Sequence, residues 1–103
     1  MLAQIERNLE SVKRLCERFR VRRLDVFGSA MGERFDAERS DLDFLVEFSP
    51  MMPGEHADVF FGLQEALEDL FDRPVDLLER TPIRNPYLLE SIDRTKVVLY
   101  AAA

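Results

Sequence analysis

The run LDFLVEF, from Leu42 to Phe48, constrains the fold of this chain more than any other stretch. Leu42, Phe44, Val46 and Phe48 fall on one side of a period-two pattern, and Asp41, Asp43, Leu45 and Glu47 on the other. The segment therefore reads as a strand with one face in a core. Its start is anomalous. Asp41 and Asp43 point the same way, roughly 6.6 Å apart along the strand, where like charges repel and resist burial. Upstream, RRLDVFG reads as a second strand, with Leu24 and Val26 on one face and Asp25 and Phe27 on the other. It ends at Gly28, where the missing side chain permits a sharp turn or the close approach of a ligand. Eleven polar-rich residues separate Ser29 from Asp41 and have room for at most a turn or two of helix.

The rest of the chain supplies the layers. Leu2, Ile5, Leu9, Val12, Cys16 and Phe19 recur at helical spacing and predict one amphipathic helix at the start. SPMMPG breaks the pattern, and a second helix is expected from about Asp58 to Phe71. PVDLLER reads as a short strand, with Pro74 at its first residue and Asp76 opposite Val75 and Leu77. Asn85-Pro86 predicts an N-cap with proline in the first turn of a short helix through Leu88, Leu89 and Ile92. KVVLY suits a final edge strand. At 103 residues the chain is read as one domain, 1–103. Its class is α/β (α+β): a small mixed sheet flanked by helices. The segment between the first two strands allows an antiparallel return or a short crossover.

Charge narrows the partners. A net charge of −6 argues against a broad nucleic-acid interface, which needs a basic face. It leaves room for a polyanionic small substrate, because a divalent cation inverts the local field. The arginines of RFRVRR (Arg18, Arg20, Arg22 and Arg23) suit a solvated junction between elements better than a binding patch. One cysteine, Cys16, at an apolar helical position reads as core, and with one histidine, His56, neither a zinc site nor a Cys-His nucleophile pair is expected. His56 follows a Pro-Gly turn and suits a surface or capping role; Met51, Met52 and the phenylalanines suit core or interface. No signal peptide or membrane-length apolar run occurs, so a cytoplasmic protein is expected.

Paired carboxylates at i and i+2 can converge on one cation or on two about 3.5–4 Å apart. Magnesium takes hard oxygen ligands, typically one or two carboxylates, with phosphates and water completing its shell. Asp41 and Asp43 fit that role, with Leu42 anchored in the core between them. Ser29 could offer its hydroxyl and nearby N–H groups to a phosphate. Asp76 can be a third ligand, a general base for an attacking hydroxyl, or an exposed strand residue. Arg34 and Arg39 lie in the segment facing the phosphate site and are candidate triphosphate contacts. Asp25 and Glu47 could join the carboxylate face but are read as strand-surface carboxylates. The sequence has no GxxxxGK[ST], and DLDFLVEF continues as a strand where a calcium loop would turn.

FGSAMGERFDAERSDLDFLVEF resembles the Gly-Ser, spacer, Asp-x-Asp signature of the DNA polymerase β-like nucleotidyltransferase superfamily. In length, and in PVDLLER and IRNPYLLESI, the chain is similar to the minimal nucleotidyltransferases of bacteria and archaea. The resemblance implies a mixed sheet flanked by helices and the use of ATP with Mg2+. It places Gly28 and Ser29 at the nucleotide and Asp41, Asp43 and Asp76 at the metals and the chemistry; Arg39 joins the nucleotide contacts by its position in the segment between them, not by the resemblance. It also implies a small helical HEPN-domain toxin as partner, with AMP transferred to a tyrosine of that toxin in an antitoxin role. Two other functions stay open: a binding antitoxin that neutralises its partner by occlusion, and nucleotidyl transfer to a small-molecule hydroxyl. Assembly with copies of itself is also left open.

Overall fold

The computed structural model describes residues 3–28, 41–80 and 85–102, the side chain of Ser91 excepted. Helices α1 (Ala3–Arg7) and α2 (Leu9–Arg18) lead into β1 (Val21–Phe27). Then come β2 (Leu42–Phe48), α3 (Pro53–Phe71), β3 (Val75–Glu79), α4 (Pro86–Thr95) and β4 (Val97–Ala101). The first helix is not continuous, as its periodicity had suggested. Asn8 stands at the break, its side-chain amide donating to Gln4 O at 2.7 Å and its own N–H to Ile5 O at 3.1 Å. An asparagine side chain competes in this way with the helical ladder. Helix α3 begins at Pro53, five residues before the expected start, because a proline is well tolerated in a first turn whose N–H groups lack intrahelical partners. Asn85 caps α4 as expected, accepting from Tyr87 N and Leu88 N.

The four strands form one sheet in the order β3-β2-β1-β4. β1 pairs antiparallel with both β2 and β4, and β2 pairs parallel with β3, so the sheet is mixed and β4 lies on an edge, as expected. The connection from β1 to β2 is thus an antiparallel return.

One face packs on α1, α2 and α3. Leu24 and Val26 of β1, Leu42, Phe44 and Val46 of β2 and Val75 and Leu77 of β3 are buried there. Ile5, Val12, Cys16, Leu63, Leu67 and Phe71 of the helices cover them. Cys16 is a core residue, and burial pushes its thiol up to about 12. The second face is smaller. Phe27, Leu45 and Leu78 pack there under Ile92 of α4.

The arginine-rich junction is fastened to its surroundings. Arg20 adopts a left-handed backbone (φ 59°) and its guanidinium donates to Glu55 at 2.6 Å. Arg23 donates through Nε to Asp25 Oδ1 at 3.0 Å. Asp25 corrects the sequence reading: it is only 1% exposed, a buried carboxylate and not a surface one. Glu47, at the same face of β2, is half-buried. Met52 and Phe61 are largely exposed, whereas most of the other phenylalanines belong to the core or pack against it.

Candidate functional site

Strand register arranges the second face in rows. In the top row Phe27 pairs with Asp43, and Asp43 pairs with Asp76 on the parallel neighbour. In the middle row Asp25 pairs with Leu45, and Leu45 with Leu78. Below them Arg23 pairs with Glu47. The top row therefore sets two carboxylates on adjacent strands, whose backbones run about 4.8 Å apart. Asp41 precedes β2 by one residue and is exposed, as is Asp76, while Asp43 is half-buried. The start of β2 is tied to the chain entering β3 by a hydrogen bond from Leu42 N to Pro74 O at 3.2 Å.

Gly28 closes this end of the site. Its φ is +77°, in the left-handed region, and a Cβ placed on it would lie 2.5 Å from Asp43 Oδ2. The Asp43 carboxylate thus lies directly against bare backbone, and only glycine fits there. The Gly28 N–H donates to Thr95 Oγ1 at 3.0 Å, a contact that sequence reasoning missed because it joins residues 67 positions apart. Of the expected site residues, Gly28, Asp41, Asp43 and Asp76 are grouped at one end of the sheet. Ser29, Arg34 and Arg39 lie outside the described residues.

The donor set at this end is oxygen only, which suits a hard divalent ion. Among the described residues no three His, Cys, Asp or Glu side chains form a ready-made metal cage.

A pocket of about 350 Å³ opens at the opposite end of the sheet, lined in part by Glu47, Phe48, His56 and Glu79. His56 Nε2 and Glu79 Oε1 are paired across it. Glu47 follows Asp43 by four residues, about 13 Å along the strand, so the pocket is separate from the carboxylate row. Two ion pairs border the second face. Asp25 beside Arg23 raises the arginine further above its ordinary value. Lys96, which donates to Asp93 at 2.9 Å, lowers that carboxyl below the usual range.

A mixed sheet with helices on both faces, and a glycine turn facing an Asp-x-Asp strand and a third strand aspartate, defines a nucleotidyltransferase-type domain. The comparisons agree: the model of the nucleotidyltransferase domain family matches residues 10–99, and the chain belongs to that family. It is 40% identical over 84 residues to a candidate protein adenylyltransferase of Methanocaldococcus jannaschii, covering 79% of each chain. A solved structure of a candidate minimal nucleotidyltransferase is 31% identical, with a TM-score of 0.65 over 90% of each chain. The fold also matches a chain from the tri-AMPylated Shewanella oneidensis HEPN toxin in complex with MNT antitoxin. That match has 17% identity and a TM-score of 0.65, covering 94% of this chain and 72% of the other. Nucleotidyltransferases of this family generally use a nucleoside triphosphate and a divalent metal ion. Among the described residues no helix is long and apolar enough to cross a membrane.

Proposed function

We propose that this chain transfers the adenylyl group of ATP to a hydroxyl of a protein acceptor, a tyrosine of a HEPN-domain toxin, and so acts as its antitoxin. The observation that carries the chemistry is the top row of the second face. Asp43 and Asp76 stand in register on adjacent strands, with Gly28 backbone against Asp43 and Asp41 one residue outside the strand. Like charges set opposite one another on neighbouring strands repel, and a cation bound between them would offset that repulsion. The protein acceptor is supported by the names of the relatives, protein adenylyltransferases on one side and a toxin–antitoxin complex carrying AMP on the other.

Asp41 and Asp43 hold the divalent ion, magnesium by the resemblance and compatible with the oxygen donors, and Asp76 completes the carboxylate row. When bound, the ion supplies positive charge at the α-phosphate and the departing pyrophosphate. Gly28 lets the Asp43 carboxylate lie against bare backbone at the mouth of the phosphate site, and Ser29 and Arg39 contact the phosphates. Asp76, exposed at the rim, accepts the proton of the acceptor hydroxyl. The hydroxyl oxygen forms a bond to the α-phosphorus, the bond from that phosphorus to the β-phosphate oxygen breaks, and pyrophosphate leaves.

The test is incubation with α-labelled ATP, Mg2+ and a co-purified HEPN partner. Label is expected on the partner with wild type and not with Asp41→Asn/Asp43→Asn. Equal labelling by both would remove the metal assignment. Rescue from the toxin by the double variant without labelling would favour occlusion.

A further inference from the structure

We propose that Thr95, at the end of α4, is a positioning residue for the carboxylate site: its hydroxyl oxygen holds the Gly28 turn against Asp43. The inference rests on the adenylyl-transfer reading, and its geometry is independent of any bound ligand. Thr95 Oγ1 accepts the Gly28 N–H at 3.0 Å, and Gly28 in turn leaves no space for a Cβ beside Asp43 Oδ2. Any movement of the turn toward β2 would push on that carboxylate, and any movement away would open a gap behind it.

The hydroxyl is delivered by rigid structure on both sides. Three residues before it, Ile92 is fully buried against Phe27, Leu45 and Leu78, and Lys96 N closes the helix on Ile92 O at 2.8 Å. Two residues after it, Val97 pairs with Val26, which is itself two residues before Gly28. Thr95 and Gly28 therefore sit at the ends of two short arms that share one strand pairing. A side chain locked in this way fixes its partner far better than one on a free loop, and an ångström of misplacement at a reacting centre costs as much as a hundredfold in rate.

The test compares Thr95→Val, which keeps shape and removes the acceptor, with Thr95→Ser, which keeps the acceptor. Amide exchange of Gly28 in the ligand-free protein is expected to accelerate about tenfold in Thr95→Val, as for loss of one positioned hydrogen bond, and to stay near wild type in Thr95→Ser. Calorimetric titration with Mn2+ alone should show weaker binding in Thr95→Val only. In the labelling assay kcat should fall about tenfold, with an unchanged KM for the partner protein. Thr95→Ala, which cannot overpack, replaces Thr95→Val if the latter melts below the assay temperature.

Wild-type Gly28 exchange and Mn2+ affinity in Thr95→Val would overturn the inference. So would equal impairment of the Ser and Val variants, which would assign the effect to the threonine methyl. An inactive wild type that still shows the exchange and Mn2+ differences would refute adenylyl transfer while leaving the positioning link intact.

Discussion

Arg23→Met should be the most damaging single change at the base of the second face. Among the described residues Asp25 is the one buried charged side chain, 1% exposed, and its ion-pair partner is Arg23 at 3.0 Å. Its cross-strand neighbours are Leu45 and Val98, both apolar. Methionine keeps the apolar stem of arginine and leaves the carboxylate buried without its cation. Breaking a buried pair in this way costs about 3–5 kcal/mol when both partners are inaccessible. Arg23 is 32% exposed, so water reaches part of the vacated site and about 2–3 kcal/mol is the expected loss. For a domain of this size that lowers Tm by roughly 10–20 °C. The assay is a reversible thermal melt at neutral pH, run beside Asp25→Asn and the double variant Arg23→Met/Asp25→Leu. The double variant removes both charges and should recover to within about 1 kcal/mol of wild type. A Tm for Arg23→Met within a few degrees of wild type would refute the reasoning, as would a double variant no better than the single one.

Three further expectations can be checked with the same material. Gly28→Ala forces a left-handed alanine, costing roughly 1 kcal/mol or more, and displaces the Asp43 carboxylate by close to an ångström. Transfer activity should fall about a hundredfold while Tm drops by only a few degrees, and a rate within twofold of wild type would contradict the geometry. Asn85→Ala removes the acceptor for Tyr87 N and Leu88 N and should cost about 1 kcal/mol, read as a Tm lower by about 4–8 °C. The Cys16 thiol, pushed up from 9.0 to about 12, holds its proton more tightly folded than unfolded. Its contribution to stability is therefore complete below pH 9 and lost as pH rises toward 12. Labelling by iodoacetamide at pH 8 should require unfolding.

The parts of this fold that follow a local rule were legible in the sequence. The alternation in Leu42–Phe48 specifies β2 and its buried face, and Asn85-Pro86 specifies the start of α4. The Asp-x-Asp pair and Gly28 marked the site because a charged strand start and a strand-ending glycine each break such a rule. What was not legible depends on register. Asp25 alternates with Leu24 and Val26 like any solvent-facing strand residue, and its burial, with Leu45 and Val98 across the neighbouring strands and Arg23 as its ion-pair partner, depends on which strands flank β1. Asp76 gains its neighbour from the parallel pairing of β2 and β3, which no spacing in the sequence dictates. Thr95 is ordinary in sequence and acquires its role from a contact made across the sheet. The break at Asn8 was visible only as a side chain able to compete for backbone, against an otherwise unbroken helical period.

The central claim is that the end of the sheet holding Gly28, Asp43 and Asp76 carries out adenylyl transfer to a protein. Its most direct test is the intact mass of the HEPN partner after incubation with ATP, Mg2+ and either wild-type protein or Asp43→Asn. The account predicts a gain of one AMP per modified hydroxyl, mapped to tyrosine, with wild type and an unchanged mass with Asp43→Asn. An unmodified partner with wild type, or the same gain with both proteins, would contradict it.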